Sequence, residues 1–242
     1  MMIIFVTGTN TDVGKTIATA ALALNLADAE FTVAVLKPLQ TGEPEGSGDA
    51  TTVEKLTGIP TAELVRYPEP LAPNLAARRA EMRQLSLQEC VAAIVDAHAK
   101  LEKESGGDSG SILLVEGAGG LLVRLADDWT LANVAVEVAK QRRNAGMIVV
   151  TSLGLGSLNS AELTVEAARN RGINVLGLIG GSLDATPDLA TTLNLEELPV
   201  VTGVPLLGCV PAGCGSSTQE TFRQTVAGIF ELSAIVGAMP ES

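Results

Sequence analysis

The chain has 242 residues, of which 46% are hydrophobic and 18% charged, the balance of a globular protein rather than a disordered one. Sixteen basic against 28 acidic residues give a net charge of −12, a field that repels nucleic acid and anionic membrane surfaces but leaves room for a nucleotide in one electropositive pocket. Aromatic residues at 2% exclude a base-stacking platform, and no run reaches the roughly 18 apolar residues of a membrane span.

In chain order, Ile3 to Thr7 reads as a strand and Thr16 to Ala27 as a helix with Ile17, Ala20, Ala21 and Leu24 on one face. Strands are expected at Thr32 to Leu36, Ile112 to Val115, Met147 to Thr151, Val175 to Ile179 and Pro205 to Val210. Their apolar residues run on without alternation, as in parallel strands buried on both faces. Helical patterns cover Thr51 to Leu56, Ser86 to Lys103, Leu131 to Arg143, Asn159 to Arg171 and Thr221 to Val236. The alternation predicts an α/β fold with a mostly parallel sheet flanked by helices, in one domain over residues 1–242. The Gly/Ser-rich stretches Gly42 to Gly48 and Ser105 to Ser111 are expected to be loops, the second on the surface. The single histidine, His98, falls mid-helix and is expected to be solvated. With Cys90, Cys209 and Cys214 it is too little for a Cys/His zinc site. Met1 to Val6 is too short and lacks the basic flank of a signal peptide, so a cytoplasmic protein with reduced thiols is expected.

The sharpest local signal is Gly8-Thr9-Asn10-Thr11-Asp12-Val13-Gly14-Lys15-Thr16, between the first strand and the first helix. This is the context of a phosphate-binding loop. Gly14 lets backbone approach phosphate oxygens, Lys15 reaches the β- and γ-phosphates, and Thr16 offers its hydroxyl to Mg²⁺. The N–H groups from Gly14 to Ile17 open the helix, where unpaired donors and the dipole favour an anion. Five residues separate the two glycines instead of the usual four. The extra lysine that partition-type ATPases carry early in this loop is missing at Asn10, Thr11 and Asp12.

Ligands of open parallel sheets bind beyond the carboxyl ends of the strands. The second strand is expected to stop at Lys37-Pro38, and the third at Glu116-Gly117-Ala118-Gly119-Gly120. Glu116 suits a metal-holding carboxylate, and with Lys15 and Lys37 on the same edge two ammonium groups flank a transferring phosphoryl. Asp49 fits either a helix cap or a second metal carboxylate.

The ordered set Val6 to Thr16, Lys37-Pro38-x-x-Thr41-Gly42, Asp49-Ala50, Val115 to Gly120, Leu155 to Asn159 and Pro205 to Pro211 resembles the dethiobiotin synthase family over nearly the whole chain. The five-residue loop spacing is that family's own. The resemblance implies a homodimeric phosphate-loop enzyme of biotin synthesis using ATP, Mg²⁺ and CO₂ or bicarbonate. Its substrate would be 7,8-diaminopelargonate, closed to a cyclic urea through a carbamate and a carbamic–phosphoric anhydride. It further implies Thr16, Asp49 and Glu116 as metal ligands and Lys15 and Lys37 as catalytic cations. Nucleotide contacts are implied at Asp12, Val13, Gly14, Lys15, Thr16, Ile17, Asp49, Glu116, Gly117, Ala118, Gly119, Gly181, Pro211, Ala212 and Gly213. Substrate contacts are implied at Thr11, Lys37 and Thr41, and at Leu155, Gly156, Ser157, Leu158 and Asn159 from the partner subunit. Gly181 stands where the family has an adenine-reading Asn, so weak base selectivity is expected. Two other readings, a partition-type nucleotide switch and a cobyrinate amide synthase-like domain, lack the early lysine and a glutaminase domain respectively.

Overall fold

The computed structural model describes residues 2–106, 110–142 and 144–237. In chain order the strands are β1 (Met2–Gly8), β2 (Thr32–Thr41), β3 (Thr61–Tyr67), β4 (Ser111–Gly120), β5 (Ala145–Thr151), β6 (Val175–Leu183) and β7 (Leu206–Pro211). The helices are α1 (Lys15–Asp28), α2 (Asp49–Thr57), α3 (Pro73–Arg79), α4 (Leu87–Glu104), α5 (Leu131–Gln141), α6 (Ser157–Arg169), α7 (Leu189–Thr202), α8 (Gln219–Val226) and α9 (Ser233–Val236), with a 3₁₀ turn at Cys214–Ser216. The seven strands form one parallel sheet in the order β3-β2-β4-β1-β5-β6-β7.

Every residue of β1 is buried, which is why its sequence shows no alternation. Ile3 and Phe5 face a core closed by α4, α5 and α6, while Met2, Ile4 and Val6 face a second core under α1 and α8. The chain leaves central β1 towards both edges of the sheet, so the carboxyl ends of β1, β2 and β4 open beside the phosphate loop. Among the described residues no helix is long and apolar enough to cross a membrane.

Several expectations need correction. Pro38 does not end β2, which continues to Thr41 by pairing Leu39, Gln40 and Thr41 with Val65, Arg66 and Tyr67 of β3. The Val35 N–H donates to Pro60 O on the β3 side, so by alternation Pro38 turns towards β4, whose pairing has already stopped at Leu36. Its missing N–H therefore breaks no ladder bond. Glu116 to Gly120 likewise lie within β4, not beyond it, with Glu116 opposite Val6 and Gly120 opposite Gly8. The expected helix from Thr221 to Val236 breaks after Val226: the chain runs beside the start of β7, where the Glu231 N–H donates to Leu207 O, and α9 follows. β3, α3 and α7 appear without a sequence signal. His98 is buried, not solvated: at 3% exposure it faces the core under α4, and among the described residues neither ring nitrogen has a hydrogen-bond partner. Arg143, the expected end of the fifth helix, Met1, and residues 107–109 of the expected surface loop lie outside the described residues.

Candidate active site

The loop from β1 to α1 is shaped by contact with β6. Gly14 adopts φ 90° as the residue preceding α1, and Asp12 is also left-handed at φ 58°. A Cβ on Gly14 would strike the Gly181 carbonyl, and one on Gly181 would strike the Val13 carbonyl. The two glycines let the loop lie directly on β6. Gly181 is thus a buried packing position under the loop, and a side chain there has no room while the loop holds this course.

Lys15, 8% exposed, donates to Asn10 O at 3.3 Å, inside its own loop. Burial, and then the nearby Lys37 ammonium, push its pKa down from the ordinary lysine value. Lys37, 2% exposed, donates to Gly117 O at 2.7 Å and to Glu116 Oε1 at 3.1 Å, and pairs with Asp49 Oδ2. Burial alone would lower its pKa, but the carboxylates of Glu116 and Asp49 outweigh that cost and hold it above the usual value. Burial pushes the Asp49 carboxyl up, while Lys37 and the Thr16 hydroxyl bring it below the ordinary aspartate value on balance.

The Thr16 hydroxyl lies 2.9 Å from Asp49 Oδ1 and 3.0 Å from Glu116 Oε1, so three oxygens from α1, α2 and β4 meet at the mouth of the loop. Hard oxygen donors of this kind suit Mg²⁺, which takes one or two carboxylates and completes its shell with phosphate oxygens and water. Among the described residues no cluster of three or more His, Cys, Asp and Glu could hold a metal by itself.

Above these groups opens a cavity of about 860 Å³. It is lined by Thr11, Asp12, Gly14, Lys15, Thr16, Ile17, Lys37, Thr41, Asp49, Ala118 and Gly119 of the residues singled out from sequence. Glu116 sits just behind that lining at 1% exposure, held by Lys37 and Thr16. Sequence reasoning missed an apolar wall of Leu39, Pro70 to Pro73 and Val123, and the polar residues Gln40 and Glu43. Only the spacing Lys37-Pro38-x-x-Thr41 hinted at Gln40; the Pro70 wall is brought in by β3, which left no pattern.

Other expected residues do not line this cavity. Val13 and Gly181 form the contact beneath the loop, and Gly117 gives its carbonyl to Lys37. Pro211 closes β7, and Ala212 and Gly213 are exposed where Gly215 packs on Ile17 at the start of α1. Leu155 to Asn159 do not line it either. Leu155 is 92% exposed, and Gly156 (φ 86°) precedes α6 without a side-chain cap, leaving the first N–H groups of that helix unmet by a side chain. Asn194 of α7 fixes this segment by donating to the carbonyls of Leu153 and Gly154.

A family profile described as an AAA domain matches residues 3–218. The protein called ATP-dependent dethiobiotin synthetase BioD in Corynebacterium diphtheriae is 55% identical over 226 residues, 93% of this chain and 96% of that one. Proteins of the same name in Corynebacterium kroppenstedtii and Rhodococcus erythropolis are 52% and 46% identical, over 95% and 94% of this chain and 94% and 96% of theirs. Among solved structures, chloroplast FtsY from Physcomitrella patens aligns with a TM-score of 0.54 at 16% identity, over 93% of this chain and 65% of that one, a likeness of fold.

Proposed function

The chain belongs to the ATP-dependent dethiobiotin synthetase family, and on that premise we propose that it uses ATP and CO₂ to close 7,8-diaminopelargonate into the cyclic urea of dethiobiotin. The observation that carries this reading is one cavity with a phosphate loop and a buried lysine–carboxylate cluster on one side and an apolar wall on the other. A diamine on a hydrocarbon chain needs both sides.

One amine of the substrate captures CO₂ as a carbamate and releases a proton. A carbamate oxygen then takes the γ-phosphoryl of ATP, and ADP leaves. The second amine attacks the carbonyl carbon of this mixed anhydride, and phosphate departs as the ring closes. Lys15, anchored in the loop, meets the β- and γ-phosphates. Lys37 meets the negative charge of the carbamate and of the phosphoryl in transfer, and because it is already desolvated and held in place it does so without reorganisation. Thr16, Asp49 and Glu116 would hold Mg²⁺, which when bound supplies charge neutralisation at the phosphates. Thr11 and Thr41 offer hydroxyls near the amines, and Leu39, Pro70 to Pro73 and Val123 cover the hydrocarbon chain. Asp12, Ala118, Gly119 and the loop from Pro211 to Gly213 are assigned to the nucleotide.

The substrate's distal carboxylate is assigned to Leu155 to Asn159 of a second subunit in a homodimer. The support is that Leu155, Leu163, Leu189, Leu193 and Val200, in or beside α6 and α7, are each more than half exposed, apolar surface that a second subunit would cover. A cytoplasmic location goes with the same reading. The test is incorporation of labelled bicarbonate into 7,8-diaminopelargonate, requiring both ATP and Mg²⁺; incorporation independent of ATP, or none, refutes it.

A further inference from the structure

The helix that carries Asp49 starts without a cap of its own. Its N-cap position is Gly48, at φ 107°, which has no side chain to meet the first N–H groups of α2. That acceptor comes instead from another element. Gln40, 5% exposed near the end of β2, places Oε1 2.9 Å from the Asp49 N, and its Nε2 donates to Thr41 O at 3.2 Å. An N–H can only donate, so the amide oxygen is assigned to the helix side. Gly48 and Gln40 are matched: a Cβ on Gly48 would come within 2.8 Å of Gln40 Cδ, so the side chain of Gln40 fills the space an ordinary capping residue would use. Arg66, opposite Gln40 in the register of β3, holds the loop that leads into the helix through the carbonyls of Glu43, Pro44 and Ser47.

We propose that Gln40 is a positioning residue that acts as the surrogate cap of α2, fixing the Asp49 backbone so that its carboxylate reaches Thr16 and Lys37 and is presented to the metal. This rests on the assignment of Asp49 as a metal ligand. Asp49 is the first residue of its helix, so the direction of its side chain follows the peptide whose N–H Gln40 accepts. Without that bond the first turn frays, and the carboxylate loses the aim that the Thr16 and Lys37 contacts require.

The experiment compares Gln40→Leu, which removes the acceptor at similar size, with Gln40→Glu, which keeps an acceptor oxygen there. Two readouts are used: hydrogen exchange of the Asp49 amide in the metal-free protein, and Mn²⁺ binding to the protein–ADP complex by electron paramagnetic resonance. Gln40→Leu should speed Asp49 exchange and weaken Mn²⁺ binding about tenfold, within the range set by leaving a half-buried donor without its partner. Gln40→Glu should stay within about threefold of wild type in both, the margin left for its added charge near the carboxylates. If the leucine variant does not fold, Gln40→Ala takes its place with the same expectation. Unchanged exchange and Mn²⁺ affinity in a folded variant overturn the proposal, as do equal losses in the leucine and glutamate variants or failure of both apolar variants to fold. If wild type itself binds no Mn²⁺ with ADP, the metal assignment of Asp49 falls, and with it the presentation to metal; the exchange readout then still decides whether Gln40 caps the helix.

Discussion

Replacing Lys37 by Met tests the buried cluster most directly, because the methylene stem is kept and only the charge and its three donors go. In the native protein that ammonium, 2% exposed, sits between Asp49 and Glu116. Its removal leaves two carboxylates that both contact the Thr16 hydroxyl, with no cation compensating them from that side. Breaking a buried pair by deleting one partner costs about 3–5 kcal/mol. Asp49 keeps 34% of its side chain in solvent, so the lower end applies, about 3 kcal/mol. For a chain of this length that is a fall of about 6–12 °C in Tm. The sign with pH is specific. In wild type the Asp49 pKa lies below its unfolded value, so its contribution is present above about pH 4 and is lost as pH falls through the folded pKa. In the variant the burial that pushes the Asp49 carboxyl up is no longer offset by Lys37, so its penalty is absent below about pH 4 and grows as pH rises through the raised pKa. The difference in Tm between the two proteins should therefore be largest near neutrality and shrink towards pH 4. Turnover measured with labelled bicarbonate should drop about 10²–10³-fold, the cost of one lost transition-state charge contact. A Tm gap that is absent at pH 7, or that stays constant down to pH 4.5, refutes the account of the cluster. Near-native turnover in the folded variant removes Lys37 from the chemistry.

His98 is buried with neither ring nitrogen hydrogen-bonded among the described residues, and burial, opposed by Glu102 and reinforced by Arg142, lowers its pKa. Its neutral form favours folding above the unfolded pKa near 6.5, and that contribution is lost as pH falls through the lower folded value; His98→Leu should flatten the Tm slope between pH 7 and 5, and an unchanged slope counts against this. Mixing inactive Lys15→Ala and Asn159→Ala chains should restore part of the activity if sites are completed across a dimer, whereas no recovery despite demonstrated subunit exchange argues for self-contained sites. Because Gly181 lies against the Val13 carbonyl and offers no side chain to a base, kcat/KM for ATP should exceed that for CTP, GTP or UTP by less than about a hundredfold, roughly what two side-chain hydrogen bonds supply. Gly181→Asn should weaken all four triphosphates together by displacing the loop; a selective gain for ATP would show that the loop can yield.

What could be read without coordinates was what is written in contiguous residues. The passage from Phe5 through Gly8 to Thr16 is a strand, a turn and a helix in contiguous residues, so the place of the loop between β1 and α1 was legible, whereas its course over Gly181 was not. β1 and β5 announced themselves because strands buried on both faces leave unbroken apolar runs, and α1 did so through apolar residues at helical spacing. Lys37 and Glu116 were found as residues, but their setting was not. Pro38 looked like a stop because a lone strand gives no sign of which neighbour its missing N–H would face, and that depends on pairing with β3 and β4. The exposure of His98 was misjudged because a helical period gives a face but not the depth of what packs on it. Gly181 looked like an absent base contact and is also a point of backbone contact with the loop at Val13, 168 positions earlier in the chain. The cap that Gln40 lends to α2 joins residues nine apart through a side chain, and the Thr16–Glu116 contact spans 100. Propensity and period act over a turn of helix or a few residues of strand; which side chains then meet at the sheet edge is settled by strand order and register, where long-range contacts repay the entropy of closing the chain between them.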